Sequence, residues 1–444
     1  ASDNGERDFT SSEITSGEMV SWVNQQVIAP LDIQALEANG RTGDFLIAKA
    51  AYALRSLGTR QATITSFDTF PTVGLVTGKF VVQVRRSSDD KFKSFTADEV
   101  TDGTLLAFVN EIQTVGTAVN GTGSFDNYTV SNLSNTGFSA DNSAGGTGSA
   151  GFPYVFKDDD VLVIKYTVTN FSSTSGLSPI IRGVNNVNSV TGKTNSGAAF
   201  TANGTYTDTL TATADGTHLM FADGNTGSYT ISDFEIVSHS SSGLVETWYD
   251  QSGNGNDVTQ ETAGSQPKIV NAGSLVTVGG RASFKFDGSS DVLARATYTQ
   301  GELSQPNTLF SVAELDAYVD GNQKVYDGHV NTARNMLQLN TAGNGQFAHF
   351  AGTVAATGED ADADRHLFTS LINGASSDLR IDGTSKTTAN TASQAMTGIV
   401  IGANHNTLEN FWDGDIQEII IYNSNQSSTT TAVETNINSH YSIF

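Results

Sequence analysis

Four carboxylates stand close together in the second half of the chain: Glu246, Asp250, Asp287 and Asp291. Hydrolysis of a glycosidic bond needs two carboxyl groups across one cleft, roughly 5–9.5 Å apart depending on stereochemical outcome. These four are the candidates for that chemistry, although Glu246 reads equally well as an ordinary exposed strand position. Around Asp250 runs an oxygen-rich segment, from Asp250 and Gln251 through Ser252, Gly253, Asn254 and Gly255 to Asn256 and Asp257. Asp250, Asn254, Asn256 and Asp257 are candidate ligands for Ca²⁺, which takes carboxylate and carbonyl oxygens. The segment lacks the closing Glu of an EF-hand loop. It also suits a tight turn in which Gly and Asn take positive φ and Asp side chains accept from backbone amides. Trp248 and Tyr249 precede it and could stack on sugar rings through their apolar faces, with one of the two expected in the core.

Other chemistries find little footing. The histidines (His218, His239, His329, His349, His366, His405 and His440) show no paired ligand spacing. Asp360, Asp362 and Asp364 alternate, as a cation-attracting loop or a solvated acidic turn would. No glycine loop leads from a strand into a helix to cradle phosphate, and no serine nucleophile elbow is present. The net charge of −24 repels phosphate backbones and anionic membranes, which excludes nucleic acid as a partner. No 18-residue apolar run exists, so no membrane insertion is expected. With no cysteine, disulfide stapling and thiolate metal sites are excluded. No secretory signal is read at Ala1, which leaves a processed chain open.

The elements that must position these residues read as strands. Charged residues are 16% of the chain against roughly 25% in an average soluble domain. Short apolar stretches separated by Gly, Asn, Asp and Ser predict an all-β protein with many turns. A helix is predicted after Asp44, with Phe45, Leu46, Ala48, Ala51, Tyr52 and Leu54 as its apolar positions and Gly58 as its stop. Strands are predicted at 80–84, 161–168, 206–213, 218–221, 229–237, 282–286, 308–313, 398–402 and 416–422. A short amphipathic helix from about Ser428 places Val433, Ile437 and Tyr441 on one face. At an offset of 86 residues, nine of the 23 positions from Ser2 to Asn24 recur between Ser88 and Asn110. Both copies carry Thr-x-x-Glu, at Thr10/Glu13 and Thr96/Glu99, the signature of a capping box. The first copy begins partway through the repeated unit. It is therefore expected to follow residues that were removed, to act as an assembly arm through Phe9, Ile14, Met19 and Trp22, or to be a local helix-cap duplication packed on its own sandwich.

Several motifs carry a family resemblance. They are Ala50-Ala51-Tyr52-Ala53-Leu54-Arg55, Val84-Arg85-Arg86-Ser87-Ser88-Asp89 and the run from Val245 through Trp248 to Asp257. To these add Gln266-Pro267-Lys268-Ile269-Val270, the stretch Phe286 to Asp291, and Phe411-Trp412-Asp413-Gly414-Asp415-Ile416. Together they resemble the sandwich of the arabinofuranosidase B family and related laminin-G-like domains of marine bacterial and phage proteins. The resemblance implies a concanavalin A-like β-sandwich, a jelly roll with a few short helices. About 130 residues interrupt the pattern between Phe108-Val109-Asn110 and Leu244. From Phe221 to Glu235 that intervening segment resembles a galactose-binding-like carbohydrate-binding module. The expected organisation is therefore residues 1–115 as the N-terminal part of the sandwich domain, 116–239 as an inserted β jelly roll, and 240–444 as the rest of the sandwich. The arabinofuranosidase family also has a vicinal disulfide in its sugar site, which a chain without cysteine cannot form.

Two functions follow from this reading. The first is a non-enzymatic display protein on a virion or extracellular surface: a phage head decoration, tail fibre or adhesin subunit. It would contact other virion or surface subunits as a homo-oligomer, and it could bind a glycan. The second is a secreted glycoside hydrolase of arabinofuranosidase type, or its binding module.

Overall fold

The computed structural model describes residues 48–57, 80–121, 127–143, 145, 146, 148–173, 178–183, 193–196, 200–223, 226–316, 322–340, 345–405 and 407–444. The first copy of the repeated motif lies outside them, as do Asp44 and Gly58. The protein is all-β. Among the described residues the α-helices are Ala97–Thr101, Thr104–Val109 and Thr430–Tyr441.

The helix expected to run through Leu54 is not formed there, because Ala50–Ala53 is a strand. All four of its residues are buried, and it pairs antiparallel with Ile421 to Glu418. A short apolar run does not distinguish a helix from a strand buried on both faces. Here the ladder with a long partner strand decided it. The second copy of the repeat behaves as read: Glu99 N–H donates to Thr96 Oγ1 and Thr96 N–H donates to Glu99 Oε2, a complete capping box opening helix Ala97–Thr101.

Apart from the two-stranded hairpin Thr277–Val278/Arg281–Ala282, the strands outside residues 116–240 form one continuous sheet that closes on itself, and it folds into two faces. One runs Thr384–Ala389, Ser377–Ile381, Arg365–Ile372, Asn307–Leu315, Asp413–Tyr422. Strands Ala50–Ala53 and Phe284–Asp287 share the far edge of Asp413–Tyr422. The other runs Phe92–Thr96, Phe80–Arg86, Gly243–Trp248, Val258–Thr259, Leu293–Arg295, Ile399–Ile401, Lys324–Gly328, Met336–Asn340, Gln346–Phe350, Val354–Ala356. Strand Lys268–Asn271 joins the two, pairing with Gly243–Leu244 on one side and with Lys285 on the other. Ile419, Ile421 and Leu309 from the first face meet Val82, Val245, Trp248 and Ile401 from the second in one apolar core. Helix Thr430–Tyr441 buries Val433, Ile437 and Tyr441, and its side chains bond to Thr369, Arg380 and Glu418 of the first face.

Between Val119 and Ser240 lie two further five-stranded sheets. Val161–Ser173 and Gly227–Ser240 pair along most of their length at the centre of one. Gly148–Phe156 and Gly216–Asp223 pair in the other. They enclose their own aromatic core, in which Phe152 stacks on Phe234 at 3.9 Å. The chain leaves and re-enters the sandwich at one polar joint. The Asn110 amide donates to Gly273 O and accepts from Ser241 N–H, while the Ser87 and Ser241 hydroxyls lie 2.8 Å apart.

Candidate functional site

A cleft of about 480 Å³ opens where four separate segments of the sandwich meet. They are the residues leaving strand Ala50–Ala53, helix Ala97–Thr101, the hairpin around Gly279-Gly280, and the end of helix Thr430–Tyr441. Leu54, Ala97, Leu275 and Ala282 give it apolar surface, and Arg55, Asp98, Arg281 and His440 give it polar groups.

Three of the walls are held by buried polar side chains. Gln251 braces the first: its amide donates to Ala53 O and Arg55 O and accepts from Leu57 N–H. Arg55 lies flat against the sheet, donating to both oxygens of Glu418 (2.6 and 2.7 Å) and to Asn436 Oδ1. Glu418 is fully buried and also accepts from the Tyr441 hydroxyl at 3.0 Å. Burial works against the Arg55 charge, but the Glu418 carboxylate outweighs it and the Arg55 pKa is raised.

The hairpin wall pairs Thr277 with Ala282 and Val278 with Arg281. It is fixed by a bulge in strand Asp413–Tyr422, where the register against Val312 and Ala313 skips Gln417. The Gln417 amide donates to Val278 O, Arg281 O and Ala282 O. Arg365 adds bonds to Val278 O and Tyr441 O. Gly279, at φ +55°, is required: a Cβ there would fall 2.3 Å from the Arg365 guanidinium.

Arg281 donates through Nε to His440 O at 2.9 Å. Among the described residues it has no carboxylate partner. Asp98 is exposed on the first turn of its helix, where Glu99 does the capping. Burial, and after it the charges of Arg55, Arg281 and Arg365, push the His440 pKa down to about 4, so its ring is neutral at pH 7.

Most residues singled out from sequence lie elsewhere. Trp248 has no exposed surface, packing between Tyr52 (5.6 Å) and Phe284 (4.8 Å) in the core, so its expected stacking on a sugar is corrected: no ring face reaches solvent. Tyr249 is half-buried beside Phe80, which is 40% exposed, and its hydroxyl lies 2.9 Å from Ser94 Oγ. The segment Asp250 to Asp257 does come together, but through hydrogen bonds. Asp250 Oδ1 accepts from Ala51 and Ser252 N–H, and Oδ2 accepts from Ser252 Oγ–H and Asn256 N–H. Asp257 accepts from Asp250 N–H. Asn254 and Asn256 donate to Lys49 O. Asp250, Asp257 and Asn256 thus accept from protein donors through their side-chain oxygens, as a tight turn requires. Among the described residues no group of three or more His, Cys, Asp or Glu side chains gathers as a metal site.

The four candidate catalytic carboxylates do not line the cleft, where Asp98 is the one carboxylate among the described lining residues. Glu246 accepts from the neighbouring Thr247 hydroxyl. Asp287 accepts from the backbone of Ser289, Ser290 and Asp291 and from both serine hydroxyls, a self-satisfied turn. Burial, opposed and outweighed by those donors, leaves the Asp287 pKa well below the usual carboxylate range. Burial and then the Asp287 charge push Asp291 up to about 7. This split resembles an acid–base pair, but both groups belong to one turn and Asp291 is only 7% exposed.

Arg281, Asp98, Arg55 and His440 were missed as site residues. One signal was present: Gly279-Gly280 between Thr277-Val278 and Arg281-Ala282 is a two-residue hairpin signature that would have placed Arg281 at a turn.

No protein-family model matches this chain, and no curated protein matches it. Solved structures to which it is similar include Trypanosoma rangeli sialidase in complex with sialic acid, at 14% identity and a TM-score of 0.32, covering 43% of this chain and 31% of that one. The chain thus spans less than a third of the sialidase's length. An arabinofuranosidase complexed with arabinofuranosyl-alpha-1,2-xylobiose is 17% identical, with a TM-score of 0.34, covering 44% of this chain and 51% of that one. The native heptameric SAP-like pentraxin of Limulus polyphemus is 8% identical, with a TM-score of 0.26, covering 35% and 82%. Likenesses of this size carry no argument about substrate.

Proposed function

We propose that this chain is a non-enzymatic, saccharide-binding display protein built on a concanavalin A-like sandwich, with the cleft at Arg281 and Asp98 as its binding site. The observation that carries the reading is the cleft itself: apolar surface with the Arg55 and Arg281 guanidinium groups and, among the described lining residues, a single carboxylate on its walls. Sugars offer C–H faces to apolar surface and hydroxyls to charged donors and acceptors, and a few convergent polar groups suffice to orient them. The two-carboxylate route to hydrolysis calls for a second carboxyl group across the cleft. None is found among the described lining residues, which favours binding over turnover.

A virion or extracellular surface location, with neighbouring copies or other surface subunits as partners, belongs to the same proposal. The support is compositional: an acidic, cysteine-free chain built of turns and strands, with a second β module set into the first. Calorimetric titration with neutral and acidic oligosaccharides tests the binding. The expected outcome is saturable binding that Asp98→Asn weakens, with no release of arabinose from arabinan-type substrates. Turnover of an arabinoside that disappears in Glu246→Gln would overturn the reading.

A further inference from the structure

The cleft holds a positive group in a strongly negative molecule. The chain has 47 acidic residues and only 23 Lys and Arg, so a carboxylate partner is statistically easy to find. Most described cations have one: Arg55 has Glu418, Arg86 has Asp89 and Glu111, Arg334 has Asp327, and Arg380 has Glu434. Arg281 is not so paired. Its Nε donates to His440 O, and among the described residues its two terminal nitrogens have no protein acceptor. Arg55 cannot substitute, because its Nε and both terminal nitrogens are engaged by Glu418 and Asn436. Arg365 stands close behind, bonded to carbonyls and to the Gln417 amide oxygen but, among the described residues, to no carboxylate. His440 registers this local field, since all three guanidinium charges help to hold its ring neutral. Asp98, on another wall, has a carboxylate with no protein donor among the described residues, ready to accept from hydroxyls.

We propose that the cleft selects an acidic saccharide, a sugar bearing a carboxylate as uronic acids do, with the carboxylate on the terminal nitrogens of Arg281 and ring hydroxyls on Asp98. This rests on the saccharide-binding reading and adds the class of sugar. A planar guanidinium offers a carboxylate two parallel N–H donors, a geometry that a hydroxyl does not match. The Asp98 charge disfavours the denser negative charge of a polysulfated ligand, which sets a sugar with one carboxylate per residue apart from a polysulfated one.

The test is titration calorimetry of the full chain with three probes: trigalacturonate, the matched neutral galactose trisaccharide, and its sulfated counterpart. Trigalacturonate is expected to bind on the order of tenfold to a hundredfold more tightly than the neutral sugar. Arg281→Gln should abolish that preference while leaving neutral binding in place, and Arg281→Lys should retain part of it. Melting curves confirm that each variant is folded. Equal affinity for acidic and neutral probes, or a preference that survives Arg281→Gln, overturns the acidic-sugar inference and leaves the saccharide reading standing. Tighter binding of the sulfated probe than of trigalacturonate also overturns it. If no probe binds at all, both readings fall.

Discussion

Replacing Arg55 should unfold the cleft's floor at a cost larger than most single substitutions. The Glu418 side chain has no exposed surface, and its described donors are two Arg55 nitrogens and the Tyr441 hydroxyl. In Arg55→Met the carboxylate keeps its burial and loses its counter-charge. Breaking a buried pair from one side costs about 3–5 kcal/mol, most of it the uncompensated charge left behind. Arg55 also lies 5.9 Å from the centre of the Tyr441 ring, so the end of helix Thr430–Tyr441 should loosen as well. Arg55→Met with Glu418→Gln removes the stranded charge. The double variant should therefore be more stable than Arg55→Met alone, with a coupling of about 2 kcal/mol or more. Urea unfolding followed by the fluorescence of buried Trp248 and Trp412 reads both quantities. If Arg55→Met falls within about 1 kcal/mol of the parent, or if the two changes simply add, then the pair does not support this wall.

Three further outcomes follow from the same geometry. Asp291 has a folded pKa of about 7 against an ordinary 3.8, so the folded state binds its proton more tightly and the protein loses about 4 kcal/mol as pH rises from 4 to 7. Asp291→Asn should flatten that slope, raising the melting temperature at pH 8 and changing it little at pH 4; an unchanged slope refutes the assignment. In Arg281→Gln, loss of one of the three guanidinium charges should raise the His440 pKa from about 4, while burial keeps it below the usual histidine range. An NMR titration showing no rise would mean that Arg281 does not set the field in the cleft. Replacing residues 116–239 by a short linker should leave a cooperatively melting sandwich, because the joint at Asn110, Ser87 and Ser241 is retained; a soluble product without a cooperative melt would refute the nesting.

The strands that could be read from sequence were those whose side-chain pattern is decided locally. Ile419 to Tyr422 is a continuous apolar run buried on both faces, between the core and helix Thr430–Tyr441, and the spacing of Val433, Ile437 and Tyr441 declares that helix. Thr96 and Glu99 announced a cap whose bonds close within four residues. What failed was decided by distant partners. Ala50–Ala53 became a strand because Glu418–Ile421 offered it a ladder. The Asp250 to Asp257 segment lists many oxygens, but only the fold brings Ala51 N–H to one of them. The cleft was illegible for the same reason: Arg55, Asp98, Arg281 and His440 come from four stretches of chain, and no spacing relates them.

The buried polar groups of the sandwich also show where its geometry is being controlled. Burying a polar side chain gains nothing for stability unless each of its bonds is replaced, and an apolar side chain of similar size is commonly as good or better. Gln251, Gln417 and Glu418 are all nearly or fully buried. Their partners are not scattered. Gln251 bonds to the backbone of Ala53, Arg55 and Leu57, Gln417 to that of Val278, Arg281 and Ala282, and Glu418 to Arg55 and Tyr441. Each therefore ends on a segment that forms a wall of one cleft. The three share partners through Arg55 and Tyr441, so they form one connected buried network that reaches three of the cleft's segments. That network fixes the hairpin bearing Arg281 relative to the strand end at Arg55 and the helix end at Tyr441, since loops without such support would vary their positions by more than a hydrogen bond tolerates.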